Sequence, residues 1–169
     1  FGANDHIRRV AAQFAEEGYE VLAPAMYERV LPGFEAGYDA RAVLQGRAAM
    51  AKTPWDQVQG DLQACIDSLA VPVFIVGYCW GGAAAWLAAC RCERLAAASC
   101  YYGRHIVGLK DDTPRCPTIL HYGREDESIP LSEMPQTVKD AVVAAENRSF
   151  WTDKGIDPKG ILRAAFSNA

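Results

Sequence analysis

Val71-Pro72-Val73-Phe74-Ile75-Val76-Gly77-Tyr78-Cys79-Trp80-Gly81-Gly82 is the stretch on which the reading of this chain turns. An unbroken apolar run, as a strand in the middle of a parallel sheet has, leads into a glycine-flanked turn and then into a helix-forming stretch. The order Gly77-Tyr78-Cys79-Trp80-Gly81 is Gly-x-nucleophile-x-Gly, a strand–turn–helix arrangement with a cysteine at its tip. In so tight a turn the pattern predicts that side chains at 77 and 81 would collide, and that Gly82 lets the helix pack close to the sheet. The bend would expose the Cys79 sulfur at a helix N-terminus, where the dipole and unpaired backbone N–H groups favour an anionic sulfur. The Trp80 N–H would then be placed to stabilise an oxyanion. A buried, inert cysteine beside an ordinary βα turn is the plain alternative. The coincidence of strand, turn, flanking glycines and helix favours the exposed nucleophile.

Outward from that turn, helices and strands alternate. Residues 6–17 place Ile7, Val10, Ala11 and Phe14 on one helical face, with Asn4 or Asp5 as cap and Gly18 as stop. Tyr19 to Ala23 reads as a short strand before Pro24, and 25–53 as irregular with a short helix near 40–51. Trp55 to Leu69 is helical, with Val58, Leu62, Cys65, Ile66 and Leu69 in phase. Strands are predicted at 71–76, 95–101 and 118–123, and helices at 82–92, 131–145 and 160–167. Such alternation predicts an α/β architecture, a mainly parallel sheet with helices on both faces. Chemistry then belongs at the carboxyl ends of the strands.

The chain has 169 residues, half of them hydrophobic, which predicts one globular domain spanning 1–169. A net charge of −4 gives no reason to expect nucleic acid or an anionic membrane as partner. No apolar run reaches the ~18 residues of a membrane span, and the first residues lack the basic and apolar segments of a signal peptide. Cysteines at 65, 79, 90, 92, 100 and 116 stand in or beside regular elements rather than in a disulfide framework, so the expectation is a reduced, cytoplasmic protein. Cys90 and Cys92 diverge by about 200° around a helix and have no partner at zinc spacing. The expectation is no metal and no cofactor.

A second signal is Leu120-His121-Tyr122-Gly123-Arg124-Glu125-Asp126-Glu127-Ser128-Ile129-Pro130, an apolar strand running into an acidic loop. Alone, it reads as a solvated turn. Downstream of a nucleophile turn it fits the order nucleophile, acid, histidine, which makes Asp126 the candidate acid.

Taken together, Phe1-Gly2-Ala3-Asn4-Asp5-His6-Ile7-Arg8, Glu17-Gly18-Tyr19, Leu22-Ala23-Pro24-Ala25-Met26-Tyr27, Gly77-Tyr78-Cys79-Trp80-Gly81-Gly82, Tyr101-Tyr102-Gly103, Gly123-Arg124-Glu125-Asp126 and Ile129-Pro130 resemble the dienelactone hydrolase family, a cysteine-dependent branch of the α/β-hydrolases. The resemblance runs from residue 1 to about 130. It implies an α/β-hydrolase fold and hydrolysis of lactones or related small esters by a Cys-His-Asp triad. By that resemblance Cys79 is the nucleophile, Asp126 the triad acid and Trp80 the oxyanion donor. Tyr102 would lie near the site, with Tyr101 turned into the sheet. Measured against the family, the chain reads as trimmed at its front, where further strands and an assisting glutamate are expected, and altered near its end. The family's Gly-His-x-Phe motif has as nearest match Asn147-Arg148-Ser149-Phe150, with Arg148 at the histidine position.

A guanidinium stays protonated and cannot act as a base, but Arg148 can bind a carboxylate. Trp151 beside it can border the site, whereas Trp86 reads as helix core. His6 and His105 fall at the functional end of the sheet but read as surface residues, and His121 as a packed strand residue. Arg41 and Arg47 read as surface charge. Two functions are compatible with these residues. One is a hydrolase of small esters or lactones; the other is a catalytically impaired hydrolase-fold protein that binds a small carboxylate or a protein partner. An exposed sheet edge could also pair copies into a homo-oligomer.

Overall fold

The computed structural model describes residues 2–37 and 39–122, which divide between two compact units. One comprises residues up to Phe74 together with Arg91–Ala96, the other Ile75–Cys90 and the residues from Ala97 onward.

In the first unit, Asn4 begins helix α1 (Asp5–Glu16). Its side-chain oxygen accepts the Ile7 N–H at 3.2 Å, satisfying one of the donors a helix start leaves open. Its amide donates to the Ala36 carbonyl at 2.8 Å, which ties the cap to a segment remote in sequence. Gly18 takes the left-handed φ of +92° that ends the helix, as its sequence position predicts. The apolar face of α1 is less covered than its periodicity suggests: no residue of the helix is buried, and Phe14 instead meets Tyr19 edge-on at 6.3 Å. The strand expected at Tyr19–Ala23 does not form; the segment joins no sheet among the described residues, and Tyr19 and Leu22 are exposed. Its β-forming residues have no partner strand among the described residues, and without a ladder the pattern alone makes no strand.

Asp39 caps α2 (Ala40–Ala51) by accepting the Ala42 N–H at 3.0 Å. Helix α3 (Trp55–Ser68) buries Val58, Leu62 and Ile66, one stripe at four-residue spacing. The chain after residue 91 lies along this helix: the Glu93 N–H donates to Gln63 Oε1 at 2.8 Å, and Arg94 pairs with Asp67 at 3.3 Å.

The sheet has the order β1-β2-β3, formed by Val73–Tyr78, Leu95–Tyr101 and Thr118–His121. Strands β2 and β3 run parallel, with Ala98 opposite Thr118 and Tyr101 opposite His121. Strand β1 starts and ends two residues later than predicted, so that only Cys79 separates it from helix α4 (Trp80–Arg91). It also lies at an edge of the described sheet rather than in its middle, and Phe74 and Val76 are exposed there. An all-apolar run therefore does not by itself specify a strand covered on both faces.

The second unit is built around α4, which is buried along nearly its whole length from Trp80 to Cys90. Its composition, apolar on every side, is that of a helix enclosed rather than laid on a surface. Trp86 and Leu87 have no exposed surface, and the Trp86 indole N–H donates to the Leu109 carbonyl at 3.4 Å. Cys100 of β2 is equally enclosed. A 3-10 helix, Arg104–Leu109, follows β2 and contributes Ile106 and Leu109 to this core.

Candidate active site

Cys79 is the single residue between β1 and α4, with φ of +57°. A side chain in that region costs of order 1–3 kcal/mol, so it persists only where the surroundings impose it. Here the Cys79 N–H donates to the Tyr101 carbonyl and the Cys79 carbonyl accepts the Gly82 N–H, each at 2.9 Å. All six cysteines lie among the described residues and all are free thiols, but only Cys79 is exposed.

The glycines around it have unequal reasons. A Cβ on Gly77 would stand 1.9 Å from the Gly81 carbonyl oxygen, so none can be accommodated. A Cβ on Gly82 would stand 2.5 Å from the Tyr101 oxygen, and one on Gly103 2.8 Å from the Ala83 nitrogen. Helix α4 and the end of β2 thus meet backbone to backbone. Gly81, which the motif suggested for the same steric reason, has nothing within 4 Å of its would-be Cβ. The collision predicted there does not occur, because the Gly81 Cα faces open space and only its carbonyl approaches Gly77.

Trp80 opens α4, so its N–H belongs to the first helical turn, where donors point outward along the axis; its side chain is largely buried. Tyr102 follows β2 with φ of +40°, is exposed, and donates its N–H to the His121 carbonyl at 2.7 Å. Tyr101 is half-buried on the sheet, its ring stacked between Tyr78 and His121. His105, in the 3-10 helix, is held below the ordinary imidazole range by partial burial and by neighbouring Arg104. His6 is an exposed residue in the first turn of α1, in the other unit. Arg41 and Arg47 are exposed on α2. Asp126, Arg148 and Trp151, and the helices expected at 131–145 and 160–167, lie outside the described residues.

The remaining thiols are buried or partly buried. Burial pushes Cys100 up to about 12, with Cys90 and Cys116 adding to the effect. Burial likewise raises Cys65 and Cys116. Among the described residues no cluster of three or more His, Cys, Asp or Glu side chains could hold a metal ion.

Sequence reasoning missed one constellation. Ser99 Oγ lies 3.1 Å from His121 Nε2, and His121 stacks on Tyr101 at 4.1 Å. The signal was available: residues 99, 101, 119 and 121 share one sheet face by strand alternation. Without the register between β2 and β3 it could not be used.

The model of the "Dienelactone hydrolase family" matches residues 1–150. A protein of Synechocystis described as "Putative carboxymethylenebutenolidase" is 32% identical across 93% of this chain and 70% of its own length. A Salmonella typhimurium protein of the same description is 31% identical across 88% of this chain, and the "Carboxymethylenebutenolidase" of Pseudomonas putida 29% identical across 77%. The chain spans 60% of the Salmonella protein and 58% of the Pseudomonas one. A crystal structure titled as a "Putative Dienelactone Hydrolase", from Klebsiella pneumoniae, superposes with a TM-score of 0.66 at 25% identity, covering 99% of this chain and 80% of that one. The strained cysteine turn and its glycines thus sit within a match that takes in most of the sequence: the chain belongs to the dienelactone hydrolase family and has its α/β-hydrolase fold.

Proposed function

We propose that this protein is a hydrolase of small esters or lactones that works through Cys79. The observation that carries the reading is the exposed thiol on a positive-φ turn between strand and helix, the geometry of a nucleophile elbow. The Cys79 sulfur, as thiolate, adds to the carbonyl carbon. The carbonyl electrons move onto oxygen, where the Trp80 N–H at the start of α4 stabilises the charge. Collapse of that adduct breaks the carbon–oxygen bond to the leaving group, which takes a proton from solvent, and leaves a thioester on sulfur. Water then cleaves the thioester, releasing the acid and returning the thiol. Thiolates leave readily, so activated esters and lactones suit this chemistry better than amides.

Asp126 is proposed as the acid of the site. Arg148 and Trp151 are proposed, with Tyr102, as substrate-contacting residues, Arg148 through a substrate carboxylate. The family match spans both compact units, which supports reading residues 1–150 as parts of one hydrolase domain. Six free cysteines suit a reducing compartment such as the cytoplasm. The test is hydrolysis of a panel of aryl esters and five-membered lactones by the unmodified chain and by Cys79→Ala. Turnover lost in the variant, with its thermal unfolding unchanged, supports the reading. Equal turnover in both overturns it, and no reaction in either points to a binding protein.

A further inference from the structure

We propose that Tyr101 is a positioning residue for Cys79: its ring, clamped in an aromatic stack across three strands, fixes the backbone carbonyl on which the cysteine turn hangs. That carbonyl is the shared contact of the region. It accepts the Cys79 N–H at 2.9 Å and presses so closely on Gly82 that a Cβ there would come within 2.5 Å. The turn residue and the first turn of α4 are therefore both referenced to one atom of Tyr101.

What holds that atom lies on the sheet face. The Tyr101 ring stacks on Tyr78 at 5.0 Å with 28° between planes, and on His121 at 4.1 Å and 8°. His121 is in turn anchored by Ser99, Oγ to Nε2 3.1 Å. A parallel backbone connection runs beneath the rings: Cys79 N–H to the Tyr101 carbonyl, and Tyr102 N–H to the His121 carbonyl at 2.7 Å. Rings and backbone thus link the same three strand ends twice. Between the links stand two residues in left-handed conformations, Cys79 at φ +57° and Tyr102 at φ +40°. Strain of this kind survives only where neighbours over-determine it. Stacked aromatic pairs supply such restraint because they resist both sliding and rotation. The phenol hydroxyl has no part in this argument; the ring does.

The test is amide hydrogen exchange, resolved to single residues, on the full chain. Tyr101→Leu removes the stack while keeping the backbone carbonyl, and Tyr101→Phe keeps the ring. In Tyr101→Leu, exchange at the Cys79 N–H should quicken roughly tenfold or more relative to Ala88 in the core of α4, because a local restraint is lost rather than global stability. Tyr101→Phe should restore the unmodified rate. His121→Ala, which strips one side of the stack, should give a smaller change in the same direction and serves if the leucine variant does not fold. Equal acceleration at Cys79 and Ala88, no acceleration in either variant, or failure of phenylalanine to rescue would overturn the proposal. The role assigned to Tyr101 takes its functional meaning from the proposed Cys79 chemistry, but the exchange experiment reads the turn whether or not the chain hydrolyses an ester. Failure here and failure of the Cys79→Ala assay are therefore separate results.

Discussion

At the scale of single residues, the site is explained by which atoms leave no room. Gly77→Ala forces a Cβ to within 1.9 Å of a carbonyl oxygen belonging to the backbone of the same turn. Backbone cannot swing aside as a side chain can, so the variant should lose most of its cooperative unfolding transition in urea. Gly81→Ala meets open space. Alanine there should raise stability by about 0.5–1 kcal/mol, the usual gain over glycine inside a helix. A comparable loss at both positions would contradict the account of the turn. Thiol reactivity is the second residue-scale expectation. Iodoacetamide followed by peptide mapping should label Cys79 first, since it alone of the six is exposed. Cys100 should label last, because it is fully enclosed and burial holds its thiol up at about 12. Cys65 or Cys116 labelling ahead of Cys79 would count against the exposed turn.

At the scale of elements, helix α1 is held from its first turn rather than by a buried face. Asn4 both caps the helix and bonds the Ala36 carbonyl. Arg8 forks onto Glu35 at 2.6 and 2.7 Å and reaches Asp5 at 2.8 Å. Asn4→Ala should cost about 1–2 kcal/mol in denaturant unfolding, the range for a lost cap with a further hydrogen bond. The ion network should add a pH dependence. The Arg8 hydrogen bonds hold the Glu35 and Asp5 carboxyls below their ordinary values. Depressed carboxyls stabilise the folded state above the unfolded carboxylate range and lose that contribution as pH falls through their folded values. The acid limb of stability should therefore flatten in Arg8→Ala, and the difference should shrink with added salt because the groups are exposed. An unchanged acid limb would show that the network contributes nothing.

The elements also show what a sequence carries. Caps, stops and helical stripes are decided within a few residues, and Asn4, Gly18 and the Val58–Leu62–Ile66 stripe were legible for that reason. Tyr19–Ala23 was misread, since a strand needs a partner that local pattern cannot supply. The position of β1 at the edge of the described sheet, and the Ser99–His121 contact, depend on strand order and register, which are non-local.

At the scale of the molecule, the turn that carries Cys79 was legible because the backbone contact at Gly77 fixes it by sterics. Asp126 and Arg148 rest on chain order and resemblance alone. If Arg148 stands where a base is needed, p-nitrophenyl acetate should acylate the protein in a burst and then turn over slowly. Attack needs only a thiolate and an oxyanion donor, whereas resolving the thioester needs water activated by a base. Arg148→His should raise the steady rate by roughly tenfold or more, general-base assistance being worth about 10²–10⁴ when well placed. Fast steady turnover by the unmodified chain would show instead that another group, such as His6 or His105, supplies the base.

The central claim is that Cys79 carries the covalent step, and trapping the acyl protein tests it most directly. The chain is mixed with p-nitrophenyl acetate, quenched in acid during the burst, and read by intact mass and peptide mapping. The account predicts one acetyl group per chain, located on Cys79, removed by hydroxylamine and absent from Cys79→Ala. A stable burst with the acetyl group on any other residue, or no acetylated protein while ester is being hydrolysed, would contradict it.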